Sequence, residues 1–166
     1  MRRVTFDLLF VAVLAAIAGF VFSSATGLPA VVATHFPRTD RASGLMARES
    51  YAQLMTLLAL GVPLFVFIGG ALLPRWLPRF GFGPYAGYWL APERQAATLA
   101  AVRHHAEGVA IIAALFVGGL HASILQANQT SPPQFHGPTI GLIFGGFFLL
   151  IGAAIVAWHR RFRHPR

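Results

Sequence analysis

Histidine is the residue type in this sequence with the most chemistry available to it, because the chain has seven histidines and no cysteine. Without cysteine there is no disulfide, thiolate metal site or cysteine nucleophile. Four histidines lie among arginines, a pattern typical of a polybasic surface that faces anionic lipid headgroups. The other three lie beside or within long apolar segments. The first group is His104, His105, His159 and His164, and the second is His35, His121 and His136.

The second group is the candidate centre for chemistry, since imidazole binds zinc, copper and iron. No H-x-H or H-E-x-x-H spacing accompanies these histidines, and no carboxylate stands at a ligand spacing from them. We therefore predict no metal site, no cofactor and no enzymatic activity. His121 lies inside an apolar segment, and we expect it to be a structural residue that bonds to a neighbouring helix or to the outer loop. The less favoured alternative is a haem or metal protein that uses His121, which for haem requires a second intramembrane histidine.

Four apolar segments must position these residues. The sequence is 56% hydrophobic and 11% charged, with a mean hydropathy of +0.64, whereas about a quarter of residues are charged in soluble domains. Each segment is close to the ~20 residues that cross a bilayer as a helix, the only open-chain form that satisfies its backbone in lipid. We predict one all-α domain over residues 1–166, an integral membrane four-helix bundle. Its spans are Leu8 to Ala25, Leu54 to Leu73, Val109 to Gln126 and Thr139 to Trp158.

The arginines predict the orientation of this bundle. Ten of the 13 lie at the N-terminus, in the long middle loop and in the tail, and the other three are Arg38, Arg41 and Arg48. By the positive-inside rule, both termini and the middle loop face the cytoplasm of a bacterial inner membrane. The net charge of +8 is therefore assigned to topology and to the lipid bilayer, and no nucleic acid is expected as a partner.

Small residues suggest how the helices meet. Gly118 in the third span, and Gly141 and Gly145 in the fourth, stand in small-residue stripes at every fourth position, which favour close helix packing. We expect these glycines at contacts within the bundle or with another subunit, either a membrane-protein partner or a second copy.

After Pro92, the middle loop predicts a helix at the cytoplasmic interface that turns into the third span.

The stretch "LPAVVATHFPRTDRASGLMARESY", residues 28–51, is a polar excursion between the first two spans. We predict that it forms a structured outer cap. Its candidate binding residues are His35, Phe36, Arg48 and Tyr51, with Tyr51 also anchoring the second span in the interfacial aromatic belt.

This stretch resembles the bacterial membrane domain of unknown function found at the N-terminus of sporulation-delay immunity proteins. The shared elements are "LP", "VATHF", a polar turn that ends in Gly44, and "M-x-R-x-x-Y", together with "YWLAPER" and "ILQAN" further along. The resemblance implies a non-enzymatic protein of an immunity or signalling kind that binds a partner through its outer cap or cytoplasmic loop. The chain departs from the family at Asp40, where glycine is usual, and at Leu45, where tryptophan is usual. The alternative is a small accessory subunit of a larger membrane complex.

Overall fold

The computed structural model describes residues 2–36, 44–76, 81–134 and 136–162, with side chains from residue 7 onward. Within these ranges the chain forms five helices, a two-stranded sheet and one turn of 3₁₀ helix at Gly83–Tyr85. The helices are α1 (Arg2–Ala25), α2 (Arg48–Trp76), α3 (Ala86–Trp89), α4 (Pro92–Ala127) and α5 (Gly137–Phe162), and the strands are β1 (Val31–His35) and β2 (Gly44–Ala47).

Four of these helices, α1, α2, α4 and α5, are long and apolar enough to cross a membrane. Each of the four apolar segments predicted from the sequence lies within one of them. The predicted helical fold with four candidate spans is therefore confirmed. The small sheet is an addition that the all-α prediction did not contain.

Helix α4 is the centre of the bundle. It packs against α1, α2 and α5, and α1 also packs against α2. The backbones approach closely where a small residue faces a neighbour, since a Cβ added at Gly70 of α2 would lie 2.9 Å from Ala106 Cβ of α4. Helix α5 is peripheral. No residue in its most apolar stretch is buried, whereas 44% of the residues in the corresponding stretch of α4 are buried.

The expected turn between an interfacial helix and the third span is absent from α4, which runs unbroken for 36 residues. The predicted helix after Pro92 is confirmed, but the predicted turn was wrong. Buried residues continue along one face of α4 from Thr98 and Val102 to Ala106 and Ala110, so the same packing surface extends across the expected turn. The charged residues at this point are paired along the helix, with Arg103 Nε 3.0 Å from Glu107 Oε1.

The segment that precedes α4 folds against the end of the bundle that holds the first residues of α1 and the last residues of α5, here called the tail end. Trp158 Nε1 donates to the carbonyl oxygen of Gly81 at 3.1 Å, and Trp89 Nε1 donates to that of Phe162 at 3.0 Å. Phe82 is buried against Val102 and Phe162. These two indole hydrogen bonds therefore hold residues 81–91, here called the aromatic loop, onto α5.

At the opposite end, here called the cap end, β1 and β2 pair in antiparallel fashion. The register places Val32 opposite Met46 and Ala33 opposite Leu45, and it shifts between Ala33 and His35. Val32 is fully buried against the apolar interior of the bundle. The hairpin is thus seated on the helix ends and extends the hydrophobic interior beyond the spans.

Candidate functional site

His121 lies at the cap end of the bundle and is completely buried. Its Nδ1 is 2.8 Å from Tyr51 Oη on α2, and its Nε2 is 2.8 Å from Ser24 Oγ on α1. One imidazole therefore joins three helices. The predicted bond from His121 to a neighbouring helix is therefore present, and it is made to two helices.

The direction of each hydrogen bond follows from the number of available protons. Ser24 Oγ donates its single hydrogen to the carbonyl oxygen of Phe20, so it accepts from His121. The Nε2 of His121 must then carry the proton. The Nδ1 is left as an acceptor, and Tyr51 Oη donates to it. The result is a neutral imidazole in a relay from Tyr51 through His121 and Ser24 to the backbone, with every side-chain group satisfied.

Apolar and aromatic groups enclose this relay. The Phe20 ring contacts the imidazole edge-on at a centroid distance of 5.3 Å, and the Tyr51 ring lies nearly parallel to it at 5.7 Å. Both imidazole nitrogens are already used inside the protein, which leaves none to bind haem iron or another metal. His35 and His136 are exposed rather than gathered around His121. Among the described residues no three His, Asp or Glu side chains are grouped to hold a metal ion.

Asn128, at the end of α4, fixes the hairpin to the bundle. Its Oδ1 accepts from the backbone N–H of Ala33, and its Nδ2 donates to the carbonyl of the same residue, both at 2.9 Å. Nδ2 also donates to the carbonyl of Ile124 in the last turn of α4. The side-chain amide thus pairs with β1 as a further strand would. Asn128 is the last residue of the "ILQAN" element, and no role for it was predicted from the sequence.

The four predicted cap residues separate into different environments. His35 is exposed at the end of β1, and Phe36 is half-buried against the apolar interior. Arg48 Nη1 donates to the carbonyl of Leu28 at 3.3 Å, and its Nη2 pairs with Glu49 at 3.3 Å. Tyr51 is only 2% exposed, so the expectation that it anchors the aromatic belt was wrong. Tyr51 can be buried because the imidazole of His121 provides an acceptor for its hydroxyl inside the bundle.

The described part of the cap exposes two aliphatic side chains. Val31 is 56% exposed and Leu45 is 68% exposed. Both lie on the hairpin, outside the candidate spans. Exposed aliphatic side chains that lie close together there are of the kind that mark a binding surface. Together with His35 they form what we call the cap patch. Arg38, Asp40 and Arg41, the other charged residues of the excursion, lie outside the described residues.

The three glycines predicted to pack helices also differ. A Cβ added at Gly118 would lie 2.8 Å from Ile17 Cδ1 of α1, so this glycine permits close contact between α1 and α4. A Cβ added at Gly141 or Gly145 would meet nothing within 4 Å. Both lie on the face of α5 that points away from α4, since Ile143 and Phe147 lie on the packed face.

A second polar cluster lies near the tail end of α4. Glu107 is buried, and its two oxygens lie 3.0 Å from Arg103 Nε and 3.0 Å from His104 Nδ1. The same guanidinium reaches Asp7 of α1, where Nη2 and Oδ1 are 2.8 Å apart. The association of these side chains was not predicted from the sequence. The i, i+3 and i, i+4 spacings on one helix were the available signal.

The fold is helical, and four of its helices are long and apolar enough to cross a membrane, which is consistent with a multi-pass membrane protein. Comparison with known protein families, with curated proteins and with solved structures finds no match for this chain. The resemblance to the immunity-protein domain therefore stays a prediction from sequence motifs.

Proposed function

We propose that this chain is a non-enzymatic protein of the bacterial inner membrane that binds another protein at its outer face through the cap patch. In this orientation both termini and the aromatic loop are cytoplasmic, in agreement with the arginine distribution. The observation that carries the proposal is the combination of a firmly held hairpin with two exposed aliphatic side chains, Val31 and Leu45.

The hairpin is held in a way that suits a binding surface. Asn128 fixes β1 from the end of α4, and Arg48 joins the start of α2 to Leu28, in the segment between α1 and β1. Below them, Tyr51 and Ser24 are fixed by His121. A surface held at three helix ends loses little conformational entropy on binding, so apolar contacts made there contribute more fully to affinity. An immunity or signalling role by direct binding, as the sequence resemblance implies, requires a surface of this kind.

A catalytic role has less support. The buried histidine already uses both nitrogens, and the charged groups near the tail end pair with one another. Neither cluster has a nucleophile beside a free base among the described residues.

The proposal is tested by photocrosslinking in intact cells with benzoylphenylalanine at position 31 or 45. We expect one discrete product of the same mass from both positions, and loss of the position 31 product when Leu45→Glu is also present. Benzoylphenylalanine at Leu149, which is 75% exposed on α5, is the matched control and should not give this product. The partner identified by mass should then bind the purified protein, with affinity reduced at least about tenfold by Leu45→Glu, as for a buried apolar anchor. Products that differ between positions 31 and 45, or equal affinity in the variant, would refute the cap patch as the binding surface.

The alternative function, an accessory subunit of a larger membrane complex, is favoured by one observation. Helix α5 packs on α4 through one face, and its opposite face bears Gly141 and Gly145 with no neighbouring atoms. In such a subunit that face contacts a helix of another chain. Replacing both glycines with leucine should then release the protein from the complex in gentle detergent, and retention of the double variant would argue against this role.

A further inference from the structure

A groove at the tail end of the bundle is made up of two adjoining compartments. The inner one, about 260 Å³, lies between α2 and α4. The outer one, about 520 Å³, lies between the 81–85 turn and the last turns of α5. Gly81, His105 and Trp158 line both compartments. The two compartments therefore meet at these three residues, with one compartment between the long helices and the other at the end of α5.

The two compartments differ in chemistry. The inner one is lined by aliphatic residues that include Val66, Leu73 and Val109, and His105 stands at its junction with the outer one. The outer compartment adds His159. Within the described part of the chain, neither imidazole has a hydrogen-bond partner, and no acidic side chain lines either compartment.

Two arginines lie close to the outer compartment. The last turn of α5 contains Arg160 and Arg161 beside His159. The Arg161 guanidinium carbon lies 5.8 Å from the centre of the Phe162 ring, which lines the outer compartment. The outer compartment thus has imidazole groups with arginines nearby, while the inner one is lined mainly by apolar side chains.

We propose that this groove binds an anionic phospholipid, with one acyl chain in the inner compartment and the phosphate between His105 and His159. An amphiphile matches both compartments, and basic pockets between helices at the polar end of the spans are suited to anionic headgroups. A small soluble anion would leave the apolar compartment filled with water. The outer compartment, at about 520 Å³, is of the size that ligand pockets usually have. This site lies at the opposite end of the bundle from the cap patch and does not depend on the proposed function.

The headgroup contact is tested by native mass spectrometry of the purified protein with equimolar phosphatidylglycerol and phosphatidylcholine of the same acyl chains. We expect preferential retention of phosphatidylglycerol. The double change His105→Gln and His159→Gln should lower that retention by about fivefold, the change that ~1 kcal/mol of headgroup attraction corresponds to. His136→Gln, an exposed histidine at the cap end, should have no effect. If the double variant does not fold, His159→Gln alone makes the same test, because this side chain is exposed.

The acyl-chain contact is tested separately. Val109→Phe, which reduces the inner compartment, should lower phosphatidylglycerol retention by a similar factor, whereas Leu57→Phe on the exposed surface of α2 should not. Equal retention of the two lipids by the wild-type protein would overturn the proposal. So would competition by glycerol phosphate at the concentration at which the lipid competes, since that would mark a site for a free anion.

Discussion

The relay of Tyr51, His121 and Ser24 predicts that one substitution will have opposite effects in two backgrounds. In the wild-type protein, Tyr51→Phe keeps the aromatic ring but removes the hydroxyl that donates to His121 Nδ1 over 2.8 Å. In a His121→Leu protein the same change removes a buried hydroxyl that has already lost its acceptor. We expect Tyr51→Phe to destabilise the first protein and to stabilise the second.

The expected magnitude follows from burial. His121 is 0% exposed and Tyr51 is 2% exposed, so water does not replace the lost partner. An orphaned buried polar group costs about 1–3 kcal/mol, and hydrogen bonds between membrane helices measure up to about 1.7 kcal/mol. We expect Tyr51→Phe to lower the free energy of unfolding by about 1–2 kcal/mol in the wild type and to raise it by about 1 kcal/mol in His121→Leu. Ser24 still donates to Phe20 in both backgrounds, so it does not affect the comparison.

Reversible unfolding by SDS in mixed micelles, followed by far-ultraviolet circular dichroism, measures all four proteins of this cycle. Ser23→Ala is the control, because Ser23 lies beside Ser24 and bonds to the same Phe20 carbonyl at 3.3 Å without contacting His121. It should change stability by less than about 0.5 kcal/mol, as is usual for exposed positions. A destabilisation by Tyr51→Phe of equal size in both backgrounds would refute the relay.

Three further predictions concern packing, the cap and the tail end. Gly118→Leu should lower the free energy of unfolding by about 1–3 kcal/mol because its side chain would overlap α1, whereas Gly141→Leu should not affect the isolated protein; SDS titration compares them. Asn128→Ala leaves the backbone N–H and carbonyl of Ala33 without partners, so amide exchange in the hairpin should accelerate about tenfold or more for a loss of at least ~1.4 kcal/mol, and unchanged exchange would contradict the clamp. Glu107→Ala should cost less than the ~3–5 kcal/mol typical of a fully buried ion pair, since its arginine partner is 53% exposed and keeps a second carboxylate; the unfolding midpoint tests this.

The spans were predictable from the sequence because length and apolarity alone decide which helices can cross a bilayer. The ends of the helices were harder to predict from the sequence. The helix after Pro92 was predicted, but its direct continuation into the third span was not, although the i, i+4 spacing of Arg103 and Glu107 was a signal for it. The hairpin was also missed, because its strands are only five and four residues long and one is fixed by the side chain of Asn128.

In the candidate site, too, the sequence indicated which residue needs a partner but not which residue provides it. An intramembrane histidine predicts a polar partner, and the sequence supported that expectation for His121. It did not identify Tyr51 as the partner, because a tyrosine at the start of a span is equally typical of the interfacial belt. The two readings differ in which face of α2 the side chain occupies, and that depends on the rotation of α2 against α4.

The arrangement of polar groups on α4 argues for a scaffold rather than a pathway. Glu107 and His121 are 14 residues apart, close to four helical turns and about 21 Å, so both face the same side of the bundle. Between them, Ala110 and Ala114 are completely buried against apolar side chains of α1 and α2. Because the described residues place no polar side chain in that layer, protons or ions have no stepping point from one cluster to the other. Each cluster instead fixes one end of the bundle, and binding at the cap patch or in the tail-end groove requires no path between the two clusters.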